Sequence, residues 1–286
     1  MQDSLITQSI VGGCGTFVCI DKNIQSYPLY VIGGSVKEKK GKDYRFGDGA
    51  NIFEHRGILI ERTYHPGRHD NLVPLVAVFE KEGDYFVFYK KLSERTARYY
   101  IRNTDIRIHA FDRQLLCKLI AGLCDGVTYI HVNLGLVHHD INPGNVFISF
   151  DRSKIWDPVM EYWILGDYES VNRANEAVIF GIYGTGPYTA PELLDINLAT
   201  ILDPRSDLYS LGLTIMEILV GYEMIRDGIP ISNDGKPNDV VIEMVRSTLG
   251  RDVAEVFRIA TDLEMEKRYE SVEKFKQALC GELLSS

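Results

Sequence analysis

Apolar and polar positions change rhythm near residue 90. Before it, short β-branched and aromatic blocks dominate: residues 9–20 (SIVGGCGTFVCI) read as strand, glycine turn, strand, and residues 27–37 as a further strand. Residues 72–79 and 85–89 predict a hairpin around Lys81, Glu82, Gly83 and Asp84. Between these strands, residues 52–64 carry helical spacing that Pro66 and Gly67 stop. Beyond Lys90 and Lys91 the spacing is helical. Leu115, Leu116, Leu119, Ile120, Leu123, Val127 and Ile130 form an apolar stripe within residues 111–131. Residues 208–220 are apolar nearly all round, as in a helix buried on every side, and residues 251–263 and 271–284 make two more amphipathic helices. The pattern predicts an α+β protein of two lobes, a small β-rich N-lobe (1–89) and a larger helical C-lobe (90–286). There is no internal repeat.

Composition narrows the partners. A formal net charge of −9 argues against nucleic acid or an anionic membrane as partner, because both need basic surface. Asp125 and His131 interrupt the most apolar run, so no membrane span is expected. The first ten residues lack the basic and apolar regions of a signal peptide. The five cysteines are scattered, without metal-site spacing, and fit reduced thiols. Together these predict a cytoplasmic protein, or one in a host cytosol if exported by a route that leaves no such signal.

The chemistry concentrates in LVHHDINPGNVFI, residues 136–148. Asp140 precedes Asn145 by five residues, with the strand-like run Val146, Phe147, Ile148 behind. A carboxylate here can accept a hydroxyl proton, and the Asn145 amide oxygen can ligate Mg2+. Asp167, at the end of the apolar run Trp163-Ile164-Leu165, offers a second hard oxygen. Such a set suits phosphoryl transfer.

Further motifs follow in order: Gly184-Thr185-Gly186-Pro187-Tyr188-Thr189-Ala190-Pro191-Glu192, then Asp207-Leu208-Tyr209-Ser210-Leu211-Gly212, then Arg268 in EKRYESVEKFKQAL. With the Asp140 loop, this series resembles a eukaryotic-type Ser/Thr protein kinase domain, and its ending is similar to bacterial members. The resemblance implies a bilobal kinase fold, ATP with Mg2+ (or Mn2+) as cofactors, and a protein Ser/Thr hydroxyl as acceptor. It makes Asp140 the residue that accepts or orients the hydroxyl proton, and Asn145 and Asp167 the metal ligands. Thr185 would line the acceptor side, Glu192 and Arg268 would form a bracing ion pair, and Asp207 would anchor the catalytic loop. In the small lobe Gly12, Gly13 and Gly15 would approach phosphate through backbone N–H groups, with Ile10 or Val18, by register, where another glycine is expected. Ser35 would leave room for adenine and Lys37 would grip phosphate, paired with Glu54 or with Glu61 two turns along. A register with Ile32 at the lysine position removes that cation. Phe88 would lie behind adenine, and Tyr89, Lys90 and Lys91 would form the hinge.

Four departures qualify the resemblance. One is the incomplete glycine pattern. His139 stands where the family has an arginine that receives an activation-loop phosphate, and residues 171–184 contain no Ser or Thr, only Tyr183. The pair predicts a kinase not switched on by loop phosphorylation. Asn142 replaces a lysine facing the transferred phosphate. A charge pair at 4 Å is worth about 4 kcal/mol at an effective dielectric of 20, and about 1.4 kcal/mol is tenfold in rate, so turnover is expected to be slow by roughly one to three decades. Lysine-free loops of this form also resemble those of small-molecule kinases such as aminoglycoside phosphotransferases. Glu169 replaces a glycine after Asp167 and Tyr168. The same residues admit a second reading, a pseudokinase scaffold that binds nucleotide or a partner without transfer. Substrate identity, oligomeric state and the role of residues 222–246, Gly/Asp/Asn-rich at 229–238, are left open by the sequence.

Overall fold

In a computed structural model of the chain the described residues are 5–11, 14–20, 28–31, 69–73, 75–81, 84–90, 95–151, 159–168, 170–174, 184–194, 202–233 and 235–285. The chain divides into two compact units, one drawn from residues 1–69 and 73–93, the other from 70–72 and 94–286.

The first unit carries an antiparallel sheet of β1 (Leu5–Val11), β2 (Cys14–Ile20), β3 (Pro28–Val31), β4 (Leu75–Lys81) and β5 (Asp84–Lys90), in the order β1-β2-β3-β5-β4. The two expected hairpins are β1–β2, which opposes Val11 to Cys14, and β4–β5, which opposes Lys81 to Asp84. The helix expected over 52–64 lies outside the described residues.

The second unit begins with β6 (Arg95–Thr96) and α1 (Ala97–Asn103), whose N-cap Thr96 accepts from the Tyr99 N–H. α2 (Arg113–Thr128) starts where Asp112 accepts from the N–H groups of Gln114 and Leu115, a cap for donors the first turn cannot satisfy. Its stripe is buried as expected except at Leu115, which is half-buried, and a π-helical turn, Tyr129–Asn133, extends it. Next come β7 (Leu136–Val137), β8 (Val146–Asp151), β9 (Val159–Leu165) and β10 (Asn172–Arg173). β6, β8 and β9 form one small sheet, β7 and β10 another.

Helices complete the unit: α3 (Pro191–Leu194), α4 (Arg205–Asp227), α5 (Asp239–Leu249), α6 (Arg251–Ala260) and α7 (Val272–Ser285). α4 is buried from Ser206 through Gly221, as its continuous apolar text predicts. α2 with its extension and α4 are each long and apolar enough to cross a membrane by length and composition. Here that apolar surface packs into the unit, α4 most completely. Residues 222–246, left open by the sequence, resolve into the end of α4, a hairpin of β11 (Ser232–Asn233) and β12 (Lys236–Pro237), and the start of α5, capped by Asn238. Gly228, at φ 68°, ends α4 in the left-handed conformation that glycine adopts at least cost.

Two small residues on α2 admit a close neighbour. A Cβ on Gly122 would lie 2.4 Å from the Asn71 amide nitrogen, and one on Gly126 3.1 Å from the Asn71 carbonyl. Asn71 fills the notch. Its Nδ2 donates to Trp163 O (2.9 Å) and its carbonyl accepts from Leu165 N (2.8 Å), which ties α2 to the end of β9.

Candidate active site

The loop that carries Asp140 hangs between β7 and β8, and one face of α4 holds it from beneath. Along this otherwise apolar helix, Asp207, Ser210, Thr214 and Glu217 recur at three- and four-residue spacing and make a single polar stripe. Asp207 accepts from the backbone N–H groups of His138 (2.6 Å) and His139 (2.8 Å) and from His131 Nε2 (2.8 Å). Ser210 donates to Tyr188 O (2.7 Å) and Thr214 to Ile141 O (3.2 Å), while Glu217 accepts from the Tyr188 hydroxyl. One helix face thereby fixes both the loop and the Gly184–Tyr188 segment.

Two of these carboxyls shift in opposite directions. Burial alone would raise the Asp207 carboxyl, but the hydrogen bond and charge of His131 outweigh it and hold the group at about 2. Burial raises Glu217, only partly opposed by the Tyr188 hydroxyl and by the charges of Arg98 and Arg102. The Tyr188 phenol is pushed up by its own burial and by Glu217.

His139, whose N–H is fixed on Asp207, has φ 65°, a left-handed conformation costly for a residue with a Cβ. The chain then turns through Asp140. Thr185 Oγ1 donates to Asp140 Oδ1 (2.6 Å), Asn142 Nδ2 donates to the same oxygen (3.0 Å), and Asn145 Nδ2 donates to Oδ2 (3.0 Å). Both amides also reach Asp140 O, at 3.1 and 2.8 Å. Four of the five expected catalytic residues, Asp140, Asn142, Asn145 and Thr185, therefore form one hydrogen-bonded cluster.

Asp167, the fifth, is brought alongside by the β8–β9 ladder. Val146 pairs with Leu165, and the next N–H, that of Gly166, donates to Asn145 O (2.9 Å). Asp167 follows at φ 65°, the second left-handed non-glycine residue of the site. The Asn145 amide nitrogen is committed to Asp140, so its oxygen and the Asp167 carboxylate are the hard donors that could hold a cation. Such oxygens would suit Mg2+, an ion that commonly takes one or two protein ligands and completes its shell with phosphate and water.

The positioning contacts of the Pro-Glu segment are also present. Arg268 donates to both Glu192 oxygens at 2.8 Å, and to the carbonyls of Arg205 (2.9 Å) and Asp262 (2.7 Å). Its guanidinium lies 5.0 Å from the Tyr209 ring centre.

In the first unit Gly15 sits on β2, opposite Ile10 on one side and Val31 on the other. Tyr89 sits on β5 between Tyr30 and Leu75, and the strand runs on through Lys90. Gly12, Gly13, Ser35, Lys37, Glu54, Glu61, Glu169 and Tyr183 lie outside the described residues. Three participants had no motif to announce them. Arg98 on α1 donates to Asn142 Oδ1 (2.9 Å), Tyr188 carries Glu217, and Asn71 pins β9. The polar stripe of α4 was a readable signal for Glu217, and the Gly122/Gly126 spacing was one for Asn71.

The family described as "Protein kinase domain" matches residues 45–281. The chain belongs to that family. The kinase domain is 24% identical over 238 residues to the proline-rich receptor-like protein kinase PERK4 of Arabidopsis thaliana, covering 82% of this chain and 34% of the relative. It is 24% identical over 205 residues to MAP kinase-interacting serine/threonine-protein kinase 1 of Xenopus tropicalis, covering 67% of this chain and 47% of that protein. The kinase domain thus spans about a third to a half of those relatives. Among solved structures, the kinase domain of PknI from Mycobacterium tuberculosis, in a double-mutant form, superposes with a TM-score of 0.63 at 17% identity, covering 95% of this chain and 91% of that one. This likeness establishes the bilobal kinase fold, with a small sheet-bearing unit and a larger, mostly helical one.

Proposed function

We propose that this kinase domain transfers the γ-phosphate of ATP to Ser or Thr hydroxyls of proteins, slowly and without activation-loop phosphorylation. One observation carries the reading: the Asp140 carboxylate is fixed by three side-chain donors from Asn142, Asn145 and Thr185. Such preorganisation lets Asp140 orient an incoming hydroxyl and take its proton as the bond to phosphorus forms. Asn145 and Asp167 would hold Mg2+ (or Mn2+), which supplies positive charge at the phosphates when bound. Thr185, bonded to Asp140 at 2.6 Å, favours an aliphatic hydroxyl as acceptor, in line with the Xenopus relative that is named a serine/threonine kinase.

Independence from loop phosphorylation is supported by His139, which is buried and offers no guanidinium fork to a phosphate. The absence of Ser and Thr from residues 171–184 points the same way. Asn142 in place of a cation supports slow turnover.

Phosphoamino-acid analysis after incubation with ATP, Mg2+ and a mixed protein acceptor tests acceptor type. Phosphoserine or phosphothreonine is expected, and phosphotyrosine alone would contradict the reading. Prior phosphatase treatment should leave the rate unchanged. The scaffold alternative draws on Asn142, which puts a neutral amide where the resemblance implies a cation. It would show as nucleotide-dependent thermal stabilisation with no phosphorylated product.

A further inference from the structure

Two of the three side-chain donors on Asp140, those of Asn142 and Thr185, lead back to one cation. Arg98 Nη2 donates to Asn142 Oδ1 (2.9 Å), and so does Gly144 N (2.9 Å). Both groups can only donate, so they fix which end of the Asn142 amide is oxygen. Nδ2 must then face Asp140 (3.0 Å) and Thr185 Oγ1 (3.2 Å), and Thr185 in turn donates to Asp140 (2.6 Å). The hydrogen bonds run in one direction: guanidinium to amide, amide to hydroxyl and carboxylate, hydroxyl to carboxylate. A charged donor at the head of such a chain polarises each later bond.

Arg98 is held firmly in this place. Its own N–H donates to Pro143 O (2.9 Å), and its guanidinium lies 5.8 Å from the Tyr188 ring centre. A Cβ on Gly144 would come within 2.8 Å of Asn142 Oδ1 and 3.1 Å of Arg98 Nη1, so the glycine makes room for the pair. The Arg98 charge also partly opposes the rise that burial imposes on the carboxyl of Glu217, which is tied to Tyr188.

We propose that Arg98 is a positioning residue for phosphoryl transfer: it sets and polarises the Asn142 amide, and it seats a fixed positive charge one amide away from Asp140. The cation missing from position 142 is thereby supplied from α1. This rests on the phosphotransferase reading above.

The test compares wild type, Arg98→Met, Arg98→Lys, Asn142→Lys and Arg98→Met/Asn142→Lys, with Asp140→Asn as blank. Single-turnover transfer at saturating Mg2+–ATP, ATP affinity and melting temperature are read for each. The side-chain amide of Asn142 is followed by 15N NMR. Arg98→Met should slow transfer at least tenfold with ATP affinity within twofold, and the Asn142 amide signal should lose its hydrogen-bonded shift. Arg98→Lys should recover at least threefold over Arg98→Met, and Asn142→Lys should restore transfer in the Arg98→Met background. The proposal is overturned by an Arg98→Met rate within twofold of wild type, by a loss that tracks ATP affinity or unfolding alone, or by an unmoved Asn142 amide. Wild type no faster than the blank overturns it together with the phosphotransferase reading. Normal transfer in both wild type and Arg98→Met removes the proposal alone.

Discussion

Replacing Asp207 by Asn tests how the catalytic loop is anchored. The carboxylate accepts three N–H groups, two from the loop backbone and one from His131, at 2.6–2.8 Å. An amide presents one acceptor oxygen, and its NH2 would confront a donor that cannot accept. His138 and His131 share one oxygen, so an amide oxygen placed there keeps both, and at least the His139 bond is lost. A bond to a charged acceptor is worth about 1.5–3 kcal/mol, so the loss is at least about 1.5–3 kcal/mol. Domain stabilities are about 5–15 kcal/mol, and for a domain of this size each kcal/mol moves Tm by about 2–4 °C, giving a fall of roughly 3–12 °C. Urea and thermal melts followed by tryptophan fluorescence report it, since Trp163 is fully buried on β9. The pH dependence has a definite sign. With the folded carboxyl at about 2 and the unfolded one near 3.9, the stabilisation is complete above about pH 4 and is lost as pH falls toward 2. The gap between wild type and Asp207→Asn should therefore close in acid. A loss under about 1 kcal/mol at pH 7, or a gap independent of pH, would refute the anchoring argument.

Other perturbations bear on neighbouring contacts. Gly184→Ala puts a Cβ 2.8 Å from His139 O and 2.9 Å from Thr189 Oγ1 at φ 103°. It should cost about 1–3 kcal/mol and draw Thr185 off Asp140, and an unchanged urea midpoint would contradict this. Arg268→Met leaves Glu192 and two carbonyls without their donor and should destabilise by about 3–5 kcal/mol, measured by the same melts. Burial raises the Glu217 carboxyl, so its contribution is fully present below about pH 4.5 and declines as pH rises through the raised folded value. Glu217→Gln does not titrate, so its stability relative to wild type should improve from pH 4.5 to 8; parallel pH curves would count against that burial cost.

Much of the second unit was legible because local text and tertiary role coincide. The α2 stripe and the continuous apolar run of α4 each name their burial, and the Asp140, Glu192, Asp207 and Arg268 positions carry spacing that survives without coordinates. α1 escaped notice because only Ala97 and Ile101 of its seven residues are buried, too few to show a period in so charged a segment. α5 was hidden behind the Gly/Asp/Asn text that precedes it, although Val241, Ile242, Val245 and Leu249 lie at helical spacing. Arg98 could not be found from sequence at all. Its partner lies 44 residues away, and tertiary contacts, among them the antiparallel pairing of β6 with β8, carry α1 to the Asp140 loop.

The most direct measurement follows label from γ-phosphate-labelled ATP into protein, for wild type beside Asp140→Asn and Asp167→Asn, with Mg2+ and then Mn2+. Slow but clear transfer by wild type, abolished in both variants while their folds melt normally, is the predicted result. Label incorporation that survives either substitution, or none in wild type, would contradict phosphoryl transfer centred on Asp140.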